Sequence, residues 1–186
     1  SETILNALDL HVRTQSKPIR DALSESGRDY VIGWDVLAGD HGIGQFALLF
    51  CPGKPVSLVW KSFPTSAEGA HLAGFGTERG MAAPRFLETA LGKTVLLVCH
   101  DSQMFNHRQK ALVSRANGMT PRGQVIAWVC AQMARKRPAW ALDVIHAIEK
   151  AGSMKTFATS FKQIYHDHDW HPSSVGAFGY GKDVLN

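Results

Sequence analysis

Apolar positions in the first 25 residues recur at helical spacing: Ile4, Leu5, Leu8 and Val12, then Ile19 and Leu23. The spacing predicts a helix over 3–25. Pro18, which has no backbone N–H to give, predicts a break of that run into two pieces. The pattern then changes. "YVIGWDVLA" (30–38), "QFALLFC" (45–51) and "VSLVWKSF" (56–63) are strand-like runs separated by "GDHGIG" and "PGKP", which are rich in residues that tolerate tight bends. Spacers this short force neighbouring strands to run antiparallel, as a meander. The stretch 64–83 is glycine-dense and without periodicity, and reads as a long loop or lid.

The second half alternates. "PRFLETALG" (84–92) has proline in its first turn and glycine past its end, which predicts a short helix. "TVLLVC" (94–99) is a continuous apolar run, the pattern of a strand covered on both faces. "TPRGQVIAWVCAQMARKRP" offers Thr120 as N-cap, Pro121 at the first helical position and an apolar stripe of Val125, Ile126, Val129, Cys130 and Met133. It ends on Arg135, Lys136 and Arg137, cations that a helix C-terminus favours. "AWALDVIHAI" (139–148) reads as another buried strand, "TFATSFKQIYHDH" as a helix and "SSVGAFGYG" as a last short strand. Strand, helix, strand implies right-handed crossovers. The expected fold is α/β: one mixed sheet, with an N-terminal antiparallel meander and a parallel βαβ portion, flanked by helices as a three-layer sandwich.

At 186 residues, 45% apolar and 19% charged, the chain reads as a single folded domain over 1–186. No apolar run reaches the roughly 18 residues of a membrane helix, and no signal-peptide core stands at the N-terminus, so a cytoplasmic protein without membrane contact is expected. Cys51, Cys99 and Cys130 are odd in number and widely spaced, which reads as reduced thiols.

Charge adds an asymmetry. Residues 1–107 hold 9 Lys/Arg against 11 Asp/Glu, residues 108–162 hold 10 against 2, and residues 163–186 hold 1 against 3. The middle segment is either a solvated surface or a surface that draws in polyanions.

Candidate chemistry follows from the strand ends, because ligands of open α/β sheets sit beyond the carboxyl ends of parallel strands. The run 94–99 delivers His100, Asp101 and Ser102 to that edge, and 140–145 delivers His146. Neighbouring strands lie about 4.8 Å apart, so His100, Asp101 and His146 would form a His/Asp/His cluster able to hold a divalent metal ion or share acid/base work. Asp143, inside a buried-type strand, needs a partner; Arg115 or Arg137 could provide one, or the carboxylate could be catalytic. Cys99 with His146 and Asp101 is an alternative nucleophile, base and orienter, although free cysteine is most often simply buried. The dense run "YHDHDWH" (165–171) reads as a solvated helix end, since His166 and His168 point about 200° apart on a helix. Asp40 and His41 sit at a hairpin tip that lacks the lysine of a phosphate-binding loop.

In their order, Gly39-Asp40, His100-Asp101 and His166-x-His168 resemble the metal motifs of metallophosphoesterases. An early Asp-x-His is missing, and Val98-Cys99 stands where Gly-Asn would precede His-Asp, so the resemblance assigns no residue a role.

The function these features predict is hydrolysis of a phosphate-bearing substrate, a nucleotide or nucleic acid, with or without metal assistance. His100, Asp101, His146 and Asp143 would carry the chemistry, and Arg108, Lys110 and Arg115 would meet phosphate. The alternative is a non-catalytic nucleic-acid-binding or assembly module that uses the basic 108–162 segment, with self-association through the 64–83 loop.

Overall fold

The structure is a computed structural model and describes residues 2–37, 43–62, 85–105, 114–115 and 118–145. Helix α1 (Glu2–Ser24) leads into β1 (Tyr30–Leu37), β2 (Ile43–Phe50) and β3 (Ser57–Trp60). These three strands form one antiparallel sheet in the order β1-β2-β3, with Tyr30 opposite Phe50 and Phe46 opposite Trp60. The meander is as the short turns dictate.

Alternation along β2 divides the protein into layers. Phe46, Leu48 and Phe50 face α1 and pack with Val12, Val56 and Leu58, joined by Ile19 and Leu23. Ala47, Leu49 and Cys51 face the other way, onto a second sheet. Contrary to expectation, α1 is not broken at Pro18; it runs through as one helix. Val12 before the proline and Ile19 and Leu23 after it rest on the same sheet face, which holds both halves in line. Arg13, paired with Asp9 at 2.7 Å, also donates to the Val56 carbonyl at 3.1 Å and ties the helix to the sheet.

The second sheet contains β4 (Phe86–Thr89), β5 (Gly92–Val98) and β8 (Trp140–Val144), in the order β4-β5-β8. The strand β4 corrects the helix expected over 84–92. Phe86 turns toward one core and Leu87 toward the other, the two-residue alternation of a strand. Its hairpin closes on Gly92 at φ 94°, a left-handed conformation that glycine adopts without a Cβ clash. The same glycine signal serves a helix end or a hairpin, and pairing with β5 decides it.

Between β5 and β8 lie a 3-10 helix (Cys99–Phe105), the two-residue strands β6 (Ser114–Arg115) and β7 (Gly118–Met119), which pair antiparallel, and helix α2 (Pro121–Lys136). α2 starts as its sequence dictates: the Thr120 hydroxyl accepts from the Gly123 N–H at 3.1 Å, with proline at the first helical position. Thr120→Ala should therefore cost about 1 kcal/mol, read as a lower urea midpoint with an unchanged slope. Val125, Ile126, Val129 and Met133 of α2 cover Val95 and Leu97 of β5.

β5 and β8 are parallel neighbours, with Leu97 opposite Asp143. β5 is central and buried, whereas β8 is the last strand of the described sheet and only half-buried. The meander and the parallel pair thus lie in two three-stranded sheets, not in one mixed sheet. Leu96 and Val98 of β5 pack on Ala47, Leu49 and Val59 of the meander, so the described elements stack as helix, sheet, sheet, helix instead of three layers. The helix and strand expected after residue 150, and the 64–83 loop, fall outside the described residues.

Candidate active site

The carboxyl end of β5 does not simply run out into a loop. Cys99 takes a left-handed φ of 52°, uncommon for a residue with a Cβ, and the chain turns at once into the 3-10 helix. That turn sends Asp101 to the end of β3. The Ser62 backbone N–H donates to both Asp101 oxygens, at 2.8 and 3.0 Å. Arg85, just before β4, donates from Nη1 to Asp101 Oδ2 at 2.8 Å. Its Nη2 donates to the Trp60 carbonyl at 3.2 Å and to the Ser62 hydroxyl. Beside them, Lys61 donates from Nζ to Gln45 Oε1 at 2.6 Å. Arg85, Lys61, Asp101, Ser62 and Ser102 are all buried.

Two sheets meet in this network. Lys61 and Ser62 continue the meander, while Arg85 and Asp101 flank strands of the second sheet. At the other end of the layers, Lys54 Nζ donates to the Glu88 carbonyl at 3.0 Å, and the Ala90 N–H donates to Asp29 at 2.5 Å.

Asp143 reaches the same region from β8. Both of its carboxylate oxygens are buried without a well-formed hydrogen bond. Burial pushes its carboxyl well above the ordinary range. The Ser102 hydroxyl is near enough to oppose that shift but donates instead to the Cys99 carbonyl, at 3.3 Å. The Asp101 carboxylate repels charge on Asp143 and adds to the rise, while the Cys99 N–H and Lys61 oppose it. Burial also raises Asp101, against the pull of Arg85 and then of the Ser62 N–H. The two acids therefore have unlike environments: Asp101 is held by a cation and an N–H, and Asp143 is kept toward its neutral form.

No protein-family model and no curated protein matches this chain. The site is therefore read from its own geometry.

Of the residues singled out in the sequence, the structure brings Asp101 and Asp143 together. His100 is half-buried in the first turn of the 3-10 helix. His146, Arg108 and Lys110 lie outside the described residues, as do Asp40, His41, His166 and His168; Arg115 is described only as backbone in β6. Arg137 is not the partner of Asp143: it caps α2 at φ 44° and is exposed. Cys99 is buried among apolar side chains, which argues against a nucleophilic role. Burial likewise pushes the Cys51 thiol up to about 11. Among the described residues, no three His, Cys, Asp or Glu side chains converge as a metal site.

Lys61, Ser62, Arg85 and Gln45 were not among the sequence candidates. The available signal was strand parity: Lys61 shares its face of β3 with Val59, which looks into the core between the sheets.

Proposed function

We propose that the protein is a hydrolase of a phosphate-bearing substrate, with Asp101 and Asp143 at the centre of its active site. The observation that carries this reading is the buried, unequal carboxylate pair at the carboxyl ends of two parallel strands. Such pairs divide acid and base roles, because one member keeps its proton where the other loses it. Two cationic side chains, Lys61 and Arg85, are buried in this network beside the carboxylates, Arg85 paired with Asp101. Buried cations at a strand end support an anionic substrate. α2 contacts the 3-10 helix, and as the crossover back from the carboxyl end of β5 it directs the positive end of its dipole there.

Asp143 would give its proton to the leaving oxygen, and Asp101, positioned by Arg85 and Ser62, would hold the local charge. His100 is the nearest candidate along the chain to accept a proton from water. A divalent ion fits this pair in one respect, since Asp143 offers two buried oxygens with no well-formed bond. In that metal-assisted form Asp143 is ionised and, with His100 and His146, would hold the ion, which would polarise the phosphate and acidify water in place of the acid role of Asp143.

The test is release of mononucleotides or phosphate from a panel of oligonucleotides and nucleotides, with magnesium or manganese and with EDTA. Turnover lost by at least 100-fold in Asp143→Asn, with the fold intact by circular dichroism, is the expected result. Loss in EDTA identifies the metal-assisted form. Undiminished turnover in Asp143→Asn removes the proposed role of the pair.

A further inference from the structure

The exposed surface of α2 carries a feature the proposed site does not use. Its 16 residues contain no Asp or Glu, and its last turn and cap present Arg135, Lys136 and Arg137, all exposed. Lys136 Nζ lies 5.1 Å from the centroid of the Phe86 ring, and Arg135 donates to Gln132 Oε1 at 2.6 Å, so neither cation is neutralised by these contacts. Lys93 is exposed at the start of β5, joined to this end through the Ala139 N–H, which donates to the Lys93 carbonyl at 2.8 Å. Glu88, opposite Lys93 in the hairpin, offsets that one charge. The triplet of α2 remains.

We infer that this end of α2 is a second docking surface for the backbone of a nucleic-acid strand, remote from the carboxylate pair. The inference rests on the reading of nucleic acid as substrate and extends it to substrate length. As the crossover between parallel β5 and β8, α2 runs back from the carboxyl end of β5, where it contacts the 3-10 helix, toward the start of β5, where Ala139 donates to Lys93. Sixteen residues span about 24 Å at 1.5 Å each. A strand with phosphates about 3.4 Å apart along a duplex axis covers that distance in about seven nucleotides. A mononucleotide or dinucleotide cannot bridge the two places, but a longer strand can.

Other polyanions share the charge requirement. The apolar stripe of α2 is committed to the core, Val125, Ile126, Val129 and Met133 all being buried. Leu91 and Trp140, however, are exposed beside Lys93 and Ala139, so anionic vesicles binding as tightly as a 20-mer would overturn the inference. An acidic protein would match the charge, and polyglutamate distinguishes it.

Binding of fluorescein-labelled oligonucleotides in EDTA, with their length checked after each titration so that docking is read on intact strands, tests the inference. The variant is R135Q/K136Q/R137N, asparagine being chosen because it tolerates the left-handed cap. A 20-mer should bind the variant at least 10-fold more weakly at moderate salt, with its log–log salt slope shallower by about 2 to 3 units. A 4-mer should bind both proteins alike. R135Q and K136Q alone should each flatten the slope by about 1, which keeps the test available if the triple variant folds poorly. Equal losses for 20-mer and 4-mer, an unchanged 20-mer slope, or polyglutamate binding as tightly as the 20-mer would each overturn the inference. Patch-dependent binding of the 20-mer with no hydrolysis under any condition leaves the docking surface standing and removes the hydrolase instead.

Discussion

Arg85→Met should lower the unfolding free energy by about 3–5 kcal/mol, because it leaves Asp101 buried without its countercharge. For a chain of this length that corresponds to a fall in midpoint temperature of roughly 6–20 °C. The loss arises where two sheets are joined, since Arg85 also donates to the Trp60 carbonyl at the end of the meander. The deficit has a pH signature. Without the guanidinium, burial raises the folded-state pKa of Asp101 further above its unfolded value of 3.8, so the cost is full at neutral pH and shrinks as the solution is acidified. Adding Asp101→Asn to Arg85→Met should recover more than half of the loss, because asparagine still accepts from the Ser62 N–H but carries no charge. Urea titrations of the two variants at neutral and mildly acidic pH measure both effects. A single-variant cost below about 1 kcal/mol would mean that the ion pair does not hold the sheets together.

Asp143→Asn should have the opposite sign on stability. The folded-state pKa of Asp143 lies well above 3.8, so the aspartate supports the fold fully only below that value. Its contribution is lost as pH rises from about 4 through the folded-state value. Asparagine keeps the shape and cannot ionise. The variant should therefore match the wild type at low pH and exceed it at pH 7–8 by about 1–3 kcal/mol, because there the unfolded wild-type chain is stabilised by ionising Asp143 while the buried folded carboxyl resists it. Thermal melts across the pH range read the difference. If stability and turnover fall together in this variant at neutral pH, Asp143 is a structural acid. A rise in stability with a loss of turnover is the pattern of a residue held in an unfavourable setting for its chemistry.

Part of this site was within reach of the sequence, and the limits have physical causes. The parallel pairing of β5 with β8 followed from two buried-type runs joined through a helix with clear capping signals. It placed Asp101 at the strand-end edge but left Asp143 inside its strand, without linking the two acids. β4 was misread because Pro84 and Gly92 are as suited to the ends of a helix as to the ends of a hairpin strand. The separation into two sheets was not legible, since apolar alternation says that a strand is covered but not by which neighbour. Lys61 and Arg85 escaped notice for a related reason. Cations are ordinarily exposed, and only the spatial convergence of β3, the approach to β4 and the 3-10 helix makes a buried pair of them sustainable.

The separation of the sheets also orders the folding of this chain. Every pairing in the meander is a short-range hairpin contact, as is β4 with β5. The pairing of Thr94 with Trp140 instead closes a loop of 140 − 94 = 46 residues. Closing long loops before their contacts are made is entropically slow. β8 is therefore expected to dock after the hairpins and α2 are available, and to bring Asp143 to Asp101 as it does so. Amide exchange would read this as weaker protection in β8 than in β2. The chemistry of the pair is then absent from any partly folded form of the chain in which β8 has not docked.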